Sequence, residues 1–296
     1  MSPDTVQEAK SVAGAHLRVS FGVRSDVGRK RKLNEDAWGA DFPAYFVADG
    51  MGGHRAGDEA SKAVVEGMLR SLPTGEFATP GELASAIGQV AQDLSQLGAG
   101  PGAPGSTLTG IAFSDHRGLP CARVFNIGDS RTYLLSAGTF SQVTVDHSEV
   151  QELLDAGSVT EVEARALPRQ NVITRALGAG SGPNVPADLF VVPVREGDRW
   201  LMCSDGLSGE VTDALIETVT RALASPQEVA DELVSMALTA GGKDNVTVVV
   251  VDVLEASPRW SDQPVGDEAA SVDDRCVEDT IPTHRERDHT VDAVRD

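Results

Sequence analysis

Apolar positions along the chain follow two different spacings, and each spacing comes in blocks. Short apolar or alternating runs predict β-strands over 16–28 and 45–49, in TLTGIAF, PCARVFNIG, RTYLLSAG, DLFVVPV and DRWLMCSD, and over 245–254. A three- and four-residue spacing predicts helices from about Ala56, from Pro80, and in two segments between residues 206 and 241. Because strands and helices do not alternate strictly, the pattern predicts an α+β protein with mostly antiparallel sheets and helices packed outside them.

The two ends of the chain lack these patterns. We expect residues 1–15 to be a flexible lead-in, residues 16–254 to form one domain, and residues 255–296 to be a disordered acidic tail. The N-terminus has no charged region followed by an apolar core, so it is not a signal peptide, and no apolar run has the length of a membrane span. The three cysteines are isolated and form no C-x-x-C, which indicates reduced thiols. We therefore expect a cytoplasmic protein without a membrane anchor.

The charge balance narrows the classes of partner. The 296 residues include 45 acidic and 25 basic side chains, giving a formal net charge of −20. General nucleic-acid binding needs a basic footprint, and docking on anionic lipid needs basic clusters, so both are disfavoured. An acidic chain of this kind is compatible with cationic cofactors, metal ions included.

Four aspartates lie at predicted strand ends, each beside a small or turn-forming residue: Asp49, Asp129, Asp205 and Asp244. A plain turn explains any one of them, because Asp-Gly and Asp-Asn are turn dipeptides. A helix follows the first and the third, however, so those two dipeptides do not simply close hairpins. Gathered carboxylates repel each other unless cations are present, and oxygen ligands suit Mg²⁺ or Mn²⁺. The set therefore predicts a divalent metal pair, with the carbonyl of Gly50 as a further ligand.

Two alternatives concern phosphate. The glycines at 50, 52 and 53 match neither G-x-x-x-x-G-K-[ST] nor G-x-G-x-x-G, so only a weak anion role at the following helix remains open. Upstream, four consecutive cations at 29–32 precede Glu35 and Asp36. A solvated surface turn accounts for most of them, but an arginine facing a metal cluster binds phosphate through a forked pair of hydrogen bonds.

Eight motifs, in order, resemble those of the bacterial branch of the metal-dependent protein serine/threonine phosphatases, the type 2C family. They are RKLNEDAW, VADGMGGHRAG, GSTLTG, NIGDSRTYLL, VDHSEV, VITRALG, MCSDGLSGEV and GGKDNVTVVVV, and they span roughly residues 16–254. The resemblance implies a four-layer α-β-β-α sandwich of two mostly antiparallel sheets, with a binuclear metal site at one end. Residues 16–254 would then be the catalytic domain.

The resemblance also implies the ligands of that metal site. Asp49 would bridge two Mn²⁺ or Mg²⁺ ions, Gly50 would give its carbonyl to one of them, and Asp205 and Asp244 would hold the other. The reaction implied is hydrolysis of phosphoserine or phosphothreonine by direct attack of a hydroxide that bridges the ions. Its protein substrates would be a bacterial serine/threonine kinase or the targets of one, and we expect the enzyme to be a monomer.

Further roles follow from the same resemblance. Glu35 and Asp36 would lie in the first or second shell of the ions, and Arg31, four residues before Glu35, would bind the phosphate. Asp129 together with Asp205 would suit a third ion. Residues 147–178 would form a flap segment near the substrate entrance.

Some positions depart from the family pattern. Met51 stands where many relatives carry a histidine after Asp-Gly, so the proton donor is open; His54 is a candidate, with a structural role as its alternative. Gly209 replaces an additional aspartate near the third ion, and Leu167 replaces a histidine in the flap segment. Cysteine-based chemistry is excluded because no C-x₅-R is present, and G-x-S-x-G is absent as well.

Two other functions remain possible on the same fold: a phosphoprotein-binding scaffold with weak catalysis, and a phosphatase of anti-sigma-factor antagonists. The tail threonines Thr280, Thr283 and Thr290 are either part of a solvated tail or sites for a partner kinase.

Overall fold

Strand β4 (Ala44–Met51) shows how the sheets are covered. Successive side chains in a strand point to opposite faces. Tyr45 and Val47 belong to one buried apolar cluster, and Phe46 and Ala48 belong to another. Because both faces of this strand are buried, its sequence is a nearly unbroken apolar run rather than an alternating one.

The computed structural model describes residues 5–52, 55–98, 100, 102–164, 167 and 172–259. The other strands are β1 (Thr5–Lys10), β2 (His16–Asp26), β3 (Asp36–Asp41), β5 (Gly105–Ser106), β6 (Leu108–His116), β7 (Leu119–Ile127), β8 (Arg131–Ser136), β9 (Thr139–Gln142), β10 (Leu177–Gly178), β11 (Asp188–Pro193), β12 (Arg199–Cys203) and β13 (Val246–Ser257). The helices are α1 (Arg55–Ser71), α2 (Pro80–Ser95), α3 (Glu149–Asp155), α4 (Glu161–Ala164), α5 (Asp205–Ser208), α6 (Asp213–Ala222) and α7 (Pro226–Ala240).

Two antiparallel sheets face each other. The first has the strand order β1-β2-β13-β12-β8-β9, and the second has the order β10-β5-β4-β6-β7-β11, with β3 pairing with β4 beside that path. A buried cluster between the sheets joins Trp200 and Val251 of the first to Tyr45 and Phe113 of the second. The sheets therefore share one central core.

Helices cover the outer faces of both sheets. Residues of α1 and α2 pack on β4, β6 and β7 in a second apolar cluster, and residues of α5, α6 and α7 pack on β12 and β13 in a third. Apolar residues on one stripe of each long helix make this packing possible, as the helical spacing predicted. The predicted four-layer α-β-β-α sandwich is confirmed.

The structure corrects the prediction for the start of the chain. We expected residues 1–15 to be a flexible lead-in, but residues 5–10 form β1, which pairs with β2 at the edge of the first sheet. This strand escapes notice in the sequence because an edge strand has one neighbour and only Ala9 of its residues is buried. Strand β3 was not predicted either. The expected tail lies almost entirely outside the described residues.

None of the helices in the described part has the length and apolarity that a membrane crossing requires.

Candidate metal and phosphate site

The first two carboxylates of the site come from neighbouring strands. Asp36 of β3 stands directly opposite Asp49 of β4 in the strand register. One residue further along, the amide of Gly50 donates to the carbonyl of Glu35, 3.1 Å away. The antiparallel pairing therefore brings the Glu35–Asp36 and Asp49–Gly50 dipeptides together at one end of the second sheet.

Ser204 connects this end to the first sheet. Its hydroxyl donates to Oδ2 of Asp36 over 2.7 Å and accepts from the amide of Thr247 on β13 at 3.0 Å. Asp205 follows Ser204 directly and opens the short helix α5. The hydroxyl thus fixes the distance between the two sheets at the point where their aspartates meet.

The asparagine of the Asp-Asn dipeptide at 244–245 holds a neighbouring loop through its side chain. Its side-chain amide donates to the carbonyls of Val27 and Leu33, and its carbonyl oxygen accepts from the amide of Glu35 at 2.8 Å. These bonds hold the loop that carries Arg31 and Glu35 against the start of β13. Asp244 is therefore delivered to the same end of the sandwich as Asp36 and Asp49.

These carboxylates are close enough to influence each other's pKa values. Burial raises the pKa of Asp49 well above its ordinary value, and the nearby charges of Asp36 and Asp205 raise it further. Burial also raises the pKa of Asp36 to about 7 and that of Asp205 to about 6, with neighbouring carboxylates acting in the same direction. Keeping all of these buried carboxylates ionised at neutral pH therefore destabilises the folded protein unless cations are bound.

Unsatisfied oxygens in the cluster fit divalent cations. Oδ1 of Asp36 and Oδ1 of Asp205 are buried and have no hydrogen-bond partner in the described part of the chain. Buried polar atoms normally have partners, and a divalent cation is a partner that suits these two oxygens. Within that part, no three carboxylate, imidazole or thiol groups are arranged as a metal site, so the fit to divalent cations rests on the donor chemistry of the cluster.

Arg31 lies at the rim of the cluster. Its side chain is about half exposed, and Nη2 donates to Oδ2 of Asp244 over 2.6 Å. This hydrogen bond raises the pKa of Arg31 above its usual value, so the guanidinium stays charged. The neighbouring cations at 29, 30 and 32 are exposed, as expected for a surface turn.

Gly50 is required by close backbone approach. A Cβ atom at this position would lie 2.1 Å from the carbonyl oxygen of Gly57 and 2.6 Å from that of Glu35. Gly57 belongs to the first turn of α1, so the helix start is packed directly on the end of β4. The glycine after Asp49 therefore serves packing as well as any role as a carbonyl ligand.

Asp129 reaches the cluster from a turn between β7 and β8. Burial raises its pKa to about 7, and the charge of Asp205 contributes. The turn is tied to β4 through Thr107, whose hydroxyl lies 2.8 Å from that of Ser130 and accepts from the amide of Asp49 at 3.0 Å. The same strand end thus positions Asp49 and the turn that carries Asp129.

A family model described as protein phosphatase 2C matches residues 28–246, which includes every carboxylate of the cluster. The chain belongs to the protein phosphatase 2C family.

Relatives and solved structures agree with this assignment. The chain is 39% identical over 276 residues to the serine/threonine protein phosphatase PstP of Mycobacterium tuberculosis, covering 89% of this chain and 50% of that protein. It is 36% identical over 242 residues to the serine/threonine phosphatase stp of Listeria welshimeri, covering 77% of this chain and 94% of that one. The crystal structure of the catalytic domain of PstP with two manganese ions superposes with a TM-score of 0.68 at 36% identity, over 80% of this chain and 99% of that chain.

The chain spans half the length of the PstP protein that it matches. Members of the protein phosphatase 2C family depend on metal ions, and the PstP catalytic domain was solved with manganese.

The structure brings most of the predicted site residues to one end of the sandwich: Arg31, Glu35, Asp36, Asp49, Gly50, Asp129, Asp205 and Asp244. His54 lies outside the described residues. Gly209 is exposed at the end of α5, and a Cβ there would meet only the carbonyl of Asp205, at 3.0 Å. Sequence reasoning missed the side chains that hold the carboxylates in place, namely Thr107, Ser130, Ser204 and Asn245. Each is a small polar residue beside a strand end, and that adjacency is the one available signal.

Proposed function

We propose that this protein is a metal-dependent protein serine/threonine phosphatase of the bacterial type 2C class. The observation that carries the proposal is the buried carboxylate cluster with a charged arginine at its rim, in which Oδ1 of Asp36 and of Asp205 have no hydrogen-bond partner among the described residues. Membership of the protein phosphatase 2C family gives this cluster its chemical meaning.

In this proposal the residues divide into two principal metal-binding groups. Asp49 would serve both ions, Gly50 would give its carbonyl to one, and Asp205 and Asp244 would hold the other. Glu35 and Asp36 would lie in the first or second shell. The manganese pair in the PstP catalytic domain supports the number of ions and makes Mn²⁺ a suitable metal, with Mg²⁺ as the alternative. When bound, the ions neutralise the cluster and supply an acidified water as the nucleophile.

Asp129 and Asp205 are the proposed donors for a third ion. Both have raised pKa values because they are buried near other carboxylates. Gly209 adds no carboxylate to this position, so we expect the third site to be weaker than the other two.

Arg31 is the proposed phosphate-binding group. An arginine presents two parallel N–H donors to a phosphate, and its charge offsets that of the equatorial oxygens. Its Nη2 is bonded to Asp244, and its other N–H donors are available to a phosphate.

The departing serine or threonine oxygen requires a proton. Met51 has no proton to give, and its position follows Gly50 directly on β4. A donor role for His54 remains a proposal from the sequence.

The substrates in this proposal are phosphorylated proteins. PstP and the Listeria phosphatase are named as serine/threonine phosphatases, which supports phosphoserine and phosphothreonine as the reactive groups. A bacterial serine/threonine kinase or its targets would be the partners, in the cytoplasm where ATP is available. We expect the protein to act as a monomer.

The test is hydrolysis of a phosphothreonine peptide with Mn²⁺, with Mg²⁺ and with EDTA. We expect metal-dependent release of phosphate, which Asp49→Asn lowers by about three orders of magnitude because a shared ligand is lost. Asp93→Asn, an exposed change on α2, is the matched control and should retain full activity. A folded wild-type protein that releases no phosphate with either metal would favour the scaffold function.

A further inference from the structure

His147 holds one residue of the Asp129 turn from two directions. Its Nδ1 accepts from the amide of Gly128 at 3.0 Å, and its own amide donates to the carbonyl of Gly128 at 2.9 Å. Gly128 immediately precedes Asp129. The amide and the carbonyl of the residue before this carboxylate are therefore both bonded to the buried His147, and the carbonyl also accepts from the side chain of Asn126 at 3.1 Å.

The tautomer of His147 follows from these contacts. Because Nδ1 accepts, Nε2 must carry the proton, and it donates to Oδ2 of Asp188 over 3.1 Å. Nη1 of Arg175 lies 2.9 Å from Nε2 but donates to Oδ1 of Asp188 at 2.6 Å. Asp188 thus accepts from both neighbours and fixes the ring. Burial lowers the pKa of His147, which favours the neutral ring that the bond to Gly128 needs.

Asp146 holds the other side of the same turn. Its carboxylate accepts hydrogen bonds from Nε and Nη2 of Arg131, at 3.0 and 2.7 Å, and Arg131 follows Asp129 by two residues. Two consecutive residues, Asp146 and His147, therefore bind the chain on both sides of Asp129. The turn itself has little freedom, since Gly128 has a positive φ of 108° and packs on Thr107.

His147 also lies where the two ends of the 147–178 segment meet. The amide of Thr174 donates to the carbonyl of His147, and the amide of Glu149 donates to that of Val172. Ser148 and Ile173 form an isolated β-bridge between these bonds. His147, which bonds to Gly128, is thus also bonded to the returning strand of this segment, where residues 147–149 pair with residues 172–174.

We propose that His147 is a positioning residue for Asp129. Its ring holds the Gly128 amide, so that the paired segments 147–149 and 172–175 determine the position of the Asp129 carboxylate. The part of this proposal that concerns metal binding rests on the proposed function, because Asp129 is there a metal donor. Its action is indirect, since the ring touches the turn and not the ions.

Three substitutions separate the contacts of the ring. The carbonyl oxygen of His147→Asn can take the place of Nδ1, so this variant keeps an acceptor for Gly128. His147→Gln reaches toward the Nε2 position and keeps a donor for Asp188 instead. His147→Leu keeps the volume and loses both bonds. His16→Leu, at a β2 histidine that contacts Glu8, is the control for general effects of removing an imidazole.

The first measurement is amide hydrogen exchange by NMR on metal-free protein, with amides of β13 as the internal reference. Relative to that reference, we expect exchange at Gly128 to rise about ten-fold or more in His147→Leu and His147→Gln, and to stay near wild type in His147→Asn. Equal protection of the Gly128 amide in the wild type and in the three His147 variants would overturn the proposal. This readout needs neither metal nor turnover, so it stands even if the phosphatase assay fails.

The second measurement is Mn²⁺ binding by calorimetry. We expect His147→Leu to weaken the weakest Mn²⁺ site by about ten-fold, with His147→Asn restoring it, because residues that orient ligands typically affect affinity on that scale. In an Asp129→Asn background the same leucine substitution should change Mn²⁺ binding no further, since its effect passes through Asp129. An unchanged weakest site in His147→Leu, or a full effect in the Asp129→Asn background, would refute the positioning role.

Discussion

Replacing Asp36 by asparagine is predicted to stabilise the metal-free protein while impairing the metal-loaded one. Asp36 is 7% exposed, its Oδ2 accepts from Ser204, and its Oδ1 has no partner in the described part of the chain. Asparagine has nearly the same shape and its carbonyl still accepts from Ser204, but it brings no charge. The substitution therefore removes a buried anion and leaves the packing in place.

The magnitude follows from the pKa of the carboxyl. Burial, with help from Asp205 and Asp244, raises it from 3.8 to about 7. A difference of about three pKa units corresponds to about 4 kcal/mol. Between these values the native state binds more protons than the unfolded state, so stability falls as pH rises from about 4 to about 7 and is level above that. The cost of Asp36 is thus about 4 kcal/mol at pH 8 and about 1.5 kcal/mol at pH 5.

The assay is urea unfolding of wild type and Asp36→Asn in EDTA at pH 5 and pH 8. We expect the variant to be more stable at both pH values, with an advantage at pH 8 up to about 4 kcal/mol and clearly smaller at pH 5. Asp93→Asn, an exposed aspartate on α2, should change the free energy of unfolding by less than about 0.5 kcal/mol at either pH.

Adding Mn²⁺ should narrow the gap between the two proteins at pH 8. An ion at a hundred times its dissociation constant stabilises the native state by about 2.7 kcal/mol, and the wild type has the better ligand set. The reasoning is refuted if Asp36→Asn is less stable than wild type in EDTA at pH 8, or if its advantage does not depend on pH. Either result would mean that the charge of Asp36 does not destabilise the metal-free fold.

Four further outcomes test other residues of the protein. Arg31→Lys keeps the charge but loses the forked donor, so kcat/KM for a phosphopeptide should fall between about 10- and 100-fold with Mn²⁺ binding nearly unchanged. Gly50→Ala should cost at least about 3 kcal/mol in urea unfolding, because its Cβ would lie 2.1 Å from the carbonyl oxygen of Gly57. Gly88→Ala on α2, where a Cβ meets nothing within 4 Å, should instead add about 1 kcal/mol. Cys203 is buried with its pKa raised to about 12, so iodoacetamide at pH 8 should leave it unmodified and leave activity intact.

The layers of the fold were accessible from the sequence because long elements carry their own periodicity. The helices α1, α2 and α7 and the strands β2, β4 and β13 each bury enough residues to show a clear pattern. Strand β3 did not, because DAWGAD pairs with β4 alone and only Asp36 and Gly39 of its residues are buried. Short strands at sheet edges are stabilised by pairing with a neighbouring strand, and the local sequence does not indicate which strand that is.

The candidate site divides in the same way. Asp49, Asp129, Asp205 and Asp244 were predicted from their positions at strand ends, and the resemblance assigned roles to Glu35, Asp36 and Arg31. The residues that orient them were not found. Ser204 contacts Asp36 across 168 positions of sequence, and Asn245 contacts Glu35 across 210. Such pairs depend on how two sheets are stacked, which a single sequence does not specify.

Arg31 and the carboxylates together explain why the cluster is tolerable without a metal ion. A buried aspartate can escape its cost by taking up a proton, by sharing one with a neighbour, or by pairing with a cation. Asp36 and Asp129 follow the first course, with pKa values near neutrality, Asp205 hydrogen-bonds to Asp49, and Asp244 pairs with Arg31. A divalent ion held by these carboxylates would displace the protons of the first arrangement. Metal binding should therefore release protons at pH 6 to 7, and the apparent affinity for the ion should rise with pH over that range.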